Sequence, residues 1–187
     1  MKYKIAFIII SICTMSLTYA QNNNLPYYEI QDHAIDYTAG SASARMVDGL
    51  GFRYYWATEG LREKDLNYKA SESGRTSAET IDHIYGLTKF ILGAVNIEPN
   101  STKEEEDQMT FSDKRKQTLL NIEMIADLLR KTEDLSQFDN DRFKFWNMLN
   151  GPIADAIWHC GQVVMLRRAS GNPFNSNASV FTGKVKQ

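Results

Sequence analysis

The 187-residue chain has little of what defines several large protein classes. It contains only two cysteines, four prolines and eleven glycines, too few for a disulfide-stapled scaffold, a collagen-like chain or a low-complexity polymer. Its formal net charge of −2 provides no excess of basic residues, so a dedicated nucleic-acid binder is not expected. The chain is also too short for a TIM barrel. These absences leave one globular domain, whose function must be sought in particular residues.

No apolar run after the N-terminus approaches the length of a membrane span. At the N-terminus, lysines precede the apolar stretch 5–13, and Thr18 and Ala20 occupy the small-residue positions before a cleavage site. This pattern predicts a cleavable signal peptide over residues 1–20. We therefore expect an exported protein, periplasmic or secreted, with no membrane span in its mature form. A transmembrane anchor is the alternative, but the stretch is short for a bilayer and contains several Ser and Thr residues.

Removal of the signal peptide leaves Cys160 as the sole cysteine. A lone cysteine cannot form an intramolecular disulfide, so the fold must depend on its apolar core. We expect Cys160 itself to be a buried and unreactive thiol.

Apolar residues recur at spacings of three and four in four segments, which is typical of amphipathic helices. Thr76 followed by Glu79 forms a capping box at the start of the second segment. Pro152 suits the first turn of the last helix, and Gly171 suits the position just after its end. We attribute Arg167 and Arg168 in the last turn to the favourable interaction of cations with the helix dipole alone. The predicted helices are 41–61, 76–95, 112–131 and 151–170, with a short helix around 143–149.

The fold class predicted from this pattern is all-α, a four-helix bundle over residues 39–173. Residues 21–38 are polar and are predicted to form an irregular lead-in. The Asn- and Ser-rich residues 174–187 are predicted to form a flexible tail. The acidic run 104–107 is interpreted as a solvated loop or first helical turn, with a partner-binding surface as the alternative.

Three side chains of the predicted helices are candidate metal ligands. Asp155 and His159 are four residues apart, so they lie on one face of the last helix and can chelate one ion. His83, on the second helix, can supply a third ligand. Two imidazoles and one carboxylate leave open coordination positions on Zn(II), Ni(II), Mn(II) or Fe(II). The alternative is an exposed charge pair on one helix and a packed histidine on the other.

Two polar neighbours are candidates for roles in catalysis. Glu79 precedes His83 by one turn and is a hydrogen-bond partner of a metal ligand, a general base or simply the partner in the capping box. Gln162 follows His159 by three residues and can hydrogen-bond a ligand or a metal-bound water, or pack between helices. Four aromatic residues either line an apolar pocket over the metal or belong to the core: Tyr54, Tyr55, Trp56 and Trp158.

The segment from Asp155-Ala-Ile-Trp-His159-Cys-Gly161-Gln162 to Gly171-Asn-Pro resembles the last-helix signature of the DinB/YfiT-like superfamily. His83, which follows the Thr76–Glu79 element, resembles the histidine of the second helix in that family. The resemblance implies a four-helix bundle holding a divalent metal ion through His83, Asp155 and His159. Asp155 departs from the pattern, since the family usually has histidine there, and a carboxylate shifts the preference toward Mn or Fe(II).

The function expected from this resemblance is that of a metal-dependent enzyme acting on a small molecule that the sequence does not identify. The metal would lower the pKa of a bound water or thiol to produce a nucleophile. Hydrolysis is the nominal reaction, and thiol transfer is an alternative that export disfavours. A second alternative is a non-catalytic metal- or partner-binding bundle of the cell envelope, which an exposed helix face could turn into a homodimer.

Overall fold

The computed structural model describes residues 25–99 and 101–186, so the predicted signal peptide lies outside the described residues. The described chain is mostly helical, and the all-α prediction is confirmed. The helices are α1 (Ala39–Thr58), α2 (Glu63–Leu66), α3 (Ser77–Ala94), α4 (Lys103–Gln108), α5 (Phe111–Arg130), α6 (Phe145–Met148) and α7 (Ala154–Ala169). A 3₁₀ turn (Leu135–Phe138) and a π turn (Leu149–Ile153) precede α7, and two short strands, β1 (Ala178–Ser179) and β2 (Lys184–Val185), follow it. Within the described residues, no helix combines the length and apolar character needed to cross a bilayer.

Threonine N-caps define where four of the helices begin. At α3 the predicted capping box is confirmed, because Thr76 accepts a hydrogen bond from the N–H of Glu79 and the Glu79 carboxylate accepts one from the N–H of Thr76. The first helix begins before the predicted residue because Thr38 and Ser41 cap each other in the same way. These reciprocal bonds satisfy backbone donors that lack an intrahelical partner. The four caps are Thr38, Thr76, Thr102 and Thr110.

The end of the first helix and the start of the last helix differ from the prediction, whereas the end of the last helix agrees with it. The first helix ends at Thr58, because Gly60 turns the chain with φ +67°. The last helix begins at Ala154, later than predicted, because Gly151 adopts non-helical angles (φ −92°, ψ −109°). Gly171 adopts φ +79° as predicted, and the N–H of Asn172 closes the helix end on a carbonyl one turn back.

The core lies where the long helices meet. Helix α1 packs against α5 and α7, and α3 packs against the same two helices. The predicted apolar stripes are buried in these contacts. Each fully buried Leu or Ile contributes about 1.5–3 kcal/mol through the hydrophobic effect. Helix α5 illustrates the pattern with its buried stripe, in which each side chain is at most 1% exposed: Leu119, Ile122, Ala126 and Leu129.

The lead-in and the tail form a second, smaller core on the outside of α1. Ile30 from the lead-in packs with Phe52 and Trp56 of α1 and with Ala178 of the tail. The N–H of Ile30 donates to the carbonyl of Gly183 at 2.8 Å, and β1 and β2 pair antiparallel. The tail predicted to be flexible therefore forms a hairpin. Strands of two residues are too short to show the alternation by which a strand is predicted.

Candidate metal centre

Helices α3 and α7 bring His83, Asp155 and His159 together. One ligand atom from each residue can be chosen so that all lie within 4.8 Å of one another. Asp155 lies between the imidazoles, with Oδ2 at 3.2 Å from His83 Nε2 and Oδ1 at 3.3 Å from His159 Nε2. The two imidazole rings meet edge to face, with centroids 4.6 Å apart. The juxtaposition expected from the sequence is therefore present in the structure.

The cluster forms at the margin of the helix interface. Helix α3 buries Thr80 and Ile84 against its neighbours, which leaves His83 at the edge of the buried face. The side chain of His159 is 11% exposed, whereas those of His83 and Asp155 are 35% and 36% exposed. The cluster thus has a closed side toward the core and an open side toward solvent. Additional ligands such as water or substrate can approach from the open side.

The two separations between imidazole nitrogens and Asp155 oxygens are compatible with a divalent metal ion. Ligand bonds of about 2.0–2.2 Å at tetrahedral or octahedral angles place neighbouring donor atoms about 2.8–3.6 Å apart. Both nitrogen–oxygen separations, 3.2 and 3.3 Å, lie within that range. The same separations also suit hydrogen bonds between protonated imidazoles and a carboxylate. Metal titration, rather than geometry, distinguishes the two interpretations.

Gln162 contacts the cluster through His159. The Oε1 atom of Gln162 lies 3.0 Å from Nδ1 of His159. With Nδ1–H as the donor, Nε2 keeps its lone pair on the side of Asp155, as a metal ligand requires. Of the roles considered for Gln162, the structure shows a hydrogen bond to His159, a candidate ligand.

The carboxylate of Glu79 hydrogen-bonds Thr76 at the start of α3. It accepts hydrogen bonds from the N–H of Thr76 at 2.7 Å and from the Thr76 hydroxyl at 3.1 Å. These hydrogen bonds lower the pKa of Glu79, which makes it a weaker base. Among the residues that the structure describes, Glu79 has no hydrogen bond to His83, Asp155 or His159. The capping interpretation accounts for Glu79, and the general-base interpretation is not supported.

An open groove of about 700 Å³ lies beside His159 along the outer face of α7. The indole of Trp158 is 71% exposed and stacks beside His159 with ring centroids 6.5 Å apart. The residues that line the groove include Arg75, Thr80, Trp158, His159, Gln162 and Met165.

The other candidate aromatics lie elsewhere. Tyr54 is fully buried in the main core, and Trp56 belongs to the second core, where its Nε1 donates to the carbonyl of Tyr28. Tyr55 lies beneath the guanidinium of Arg115. Only Trp158 of the four therefore borders the groove. Arg75 borders it without any sequence signal that could have indicated this position.

The sequence also did not predict a buried polar network at the C-terminal ends of α1 and α7. Arg167 is 4% exposed, and its Nη1 donates to the carbonyls of Trp56 and Ala57 at 2.9 and 3.0 Å. Its Nε donates to the carbonyl of Asn172 at 2.8 Å. The attribution of Arg167 to the helix dipole alone is therefore wrong, because the guanidinium donates to specific acceptors, two carbonyls of α1 and Asn172 beyond the end of α7.

Asp65 completes this network from α2. Its fully buried carboxylate accepts hydrogen bonds from the backbone and guanidinium of Arg62, the hydroxyl of Ser170 and the amide of Asn172. The hydrogen bonds from the Arg62 side chain, followed by those from the other donors, hold the pKa of Asp65 far below its usual range. The network ties α2 to the ends of α1 and α7.

Cys160 is buried, as expected, and burial raises the pKa of its thiol to about 12. At neutral pH the thiol is therefore protonated, and it is a poor nucleophile.

Comparison of the chain with known protein families, with curated proteins and with solved structures finds no match. Membership of the DinB/YfiT-like superfamily therefore stays a prediction that rests on the sequence signature. The functional argument must start from the cluster and its surroundings.

Proposed function

We propose that this chain is an exported, DinB/YfiT-like four-helix bundle whose residues His83, Asp155 and His159 bind one divalent metal ion for catalysis. The observation that carries the proposal is the convergence of three donor side chains from two helices within 4.8 Å. Two of the three are imidazoles, which suit Zn, Ni, Mn and Fe(II). The carboxylate between them adds preference for the harder ions.

The packing of the long helices supports the bundle architecture. Helices α1, α3, α5 and α7 each have 16 to 20 residues, and each packs against two of the others. In proteins of this architecture, metal sites are formed by side chains on facing helices. The location of the cluster between α3 and α7 agrees with that rule.

Different residues of the chain would have different roles at the site. Gln162 holds His159 in the tautomer and orientation that present Nε2 to the ion. The exposed sides of His83 and Asp155 leave room for a substrate or water. When bound, the ion would act as a Lewis acid that favours nucleophilic attack by water near neutral pH. Hydrolysis is therefore the reaction that we propose.

The groove beside the cluster provides a place for a substrate. Trp158 and Met165 offer apolar surface, and Arg75 offers a positive charge at the wall of the groove. A substrate with an apolar body and an anionic group would complement these side chains. The groove leads directly to His159, so a bond of such a substrate can lie beside the proposed ion.

Metal stoichiometry tests the proposal. Residues 21–187 are purified, stripped with a chelator and titrated with Zn, Ni, Mn and Fe(II), and the bound metal is measured by elemental analysis. We expect one ion per chain, lost in His83→Ala, Asp155→Asn and His159→Ala but retained in His33→Ala. His33 is the matched control because it is exposed on the lead-in. Circular dichroism verifies that each variant is folded.

The failure of all four metals to bind the unmutated protein would overturn the metal proposal. Catalysis is tested separately with ester, amide and phosphoester substrates, comparing the metal-loaded and the chelator-treated protein. Stoichiometric metal without hydrolysis of any substrate class would reject the hydrolase and leave the non-catalytic metal-binding bundle.

A further inference from the structure

A second pocket lies on the other flank of α7, away from the metal cluster. Its volume is about 290 Å³, close to the lower end of the range for small-molecule sites, about 300–1,000 Å³. Helix α1 forms one wall, α7 the floor and the tail hairpin the other wall. The lining residues include Arg53, Ile157, Val164, Arg168, Phe174 and Val180.

Small residues and the anchored tail create this space. Gly161 lies in the floor, and a Cβ atom added there would meet no atom within 4 Å. Ala178 contributes a short side chain to the wall. The tail that closes the pocket is held by the hydrogen bond from Ile30 to Gly183 and by the second core. The pocket is therefore part of the folded domain.

The charge of the pocket is of one sign. Arg53 and Arg168 line it together with apolar residues, and no acidic side chain contributes to the lining. Neither arginine forms an ion pair with any residue in the described ranges 25–99 and 101–186. Arg53 donates through Nη1 to the carbonyl of Gly49 at 2.9 Å, which orients the guanidinium without neutralising it. Two cations beside an apolar surface complement a ligand with an anionic head and an apolar body.

We infer that this pocket binds a small amphipathic carboxylate of about the size of octanoate, with the carboxylate at Arg53 and Arg168 and the apolar chain over Ile157 and Val164. Guanidinium groups pair with carboxylates through charge-assisted and often bidentate hydrogen bonds. Burial of the methylene groups against the apolar lining adds affinity through the hydrophobic effect. The site shares no metal ligand with the cluster, so it is independent of the proposed function.

Calorimetric titration at low ionic strength tests the head and the chain separately. The probes are sodium octanoate, octanol, which lacks the charge, and sodium acetate, which lacks the chain. We expect octanoate to bind at least tenfold more tightly than either of the others. Equal affinity for octanoate and octanol, or no binding of octanoate at 20 mM, would overturn the inference.

Variants locate the binding. Arg168→Gln and Arg53→Gln, each verified to be folded by circular dichroism, are expected to weaken octanoate binding about tenfold, and the double variant more. Arg142→Gln, which removes an exposed guanidinium outside the pocket, should change the affinity for octanoate less than twofold. Unchanged binding in the double variant, or equal losses in Arg142→Gln, would contradict the assignment. Amide NMR shifts on titration should map to α1, α7 and the tail, and shifts centred on Trp158 would place the ligand in the wrong site.

Discussion

Replacement of Arg167 by methionine should strongly destabilise the fold, whereas the same replacement of its neighbour Arg168 should not. The Arg167 guanidinium donates four hydrogen bonds, to the carbonyls of Trp56, Ala57 and Asn172 and to the side-chain oxygen of Asn172. Hydrogen bonds to charged groups are each worth about 1.5–3 kcal/mol and are not additive, and methionine leaves the buried acceptors without partners.

We expect Arg167→Met to lower the free energy of unfolding by about 3 kcal/mol. In a chain of this size that loss corresponds to roughly 6–12 °C in Tm. Arg168 is exposed, so only its interaction with the helix dipole is lost in Arg168→Met, a cost of about 0.3–1 kcal/mol.

Urea denaturation followed by circular dichroism measures the free energy of unfolding of both variants. An equal slope of this free energy against urea concentration verifies that both variants expose a similar surface on unfolding. If the helix dipole were the main role of both arginines, the two variants would lose similar, small amounts of stability. Equal losses below about 1 kcal/mol would therefore refute the buried-network account.

Three further predictions follow from the contacts described. The pKa of Asp65 is depressed in the folded state. The ionised carboxylate therefore stabilises the fold above the unfolded pKa of about 3.9, and this stabilisation is lost as the pH falls below that value. The urea midpoint of Asp65→Asn should depend less on pH between about 5 and 3 than that of the unmutated protein. Thr76→Ala should cost about 1 kcal/mol, and Glu79→Ala should leave metal affinity unchanged in calorimetric titration; a large loss of affinity would restore Glu79 to the site. Gln162→Leu should weaken metal binding about 10- to 100-fold while Gln162→Glu, which keeps the acceptor, retains most of it; equal affinities for the two variants would remove the positioning role.

The parts of the fold that could be predicted from the sequence are those specified locally. The Thr76–Glu79 cap and the stripe through Leu119 and Ile122 depend on residues within a turn of each other, so spacing suffices to predict them. The hairpin of the tail was not predicted because its anchor, Ile30, is remote in sequence. For the same reason the sequence does not predict the contacts of Arg167 with α1, because Trp56 and Ala57 are also remote in sequence.

The candidate site was predictable to a similar extent. The pairing of Asp155 with His159 is local, since both lie on one face of α7. The approach of His83 depends on how α3 packs against α7, which periodicity does not specify. The bundle architecture suggested this approach, and the family resemblance strengthened the expectation. The groove beside Trp158 depends on side-chain positions in three dimensions, so no pattern in the sequence indicates it.

X-ray absorption spectroscopy of the metal-loaded protein tests the central claim most directly, because it counts the ligands by type. We predict an inner shell with two imidazole nitrogens at about 2.0–2.1 Å and carboxylate or water oxygens at about 2.0–2.2 Å. In His159→Ala the imidazole scattering should fall to that of one histidine. A shell of oxygen ligands alone, or an imidazole signal unchanged in that variant, would contradict a metal centre formed by His83, Asp155 and His159.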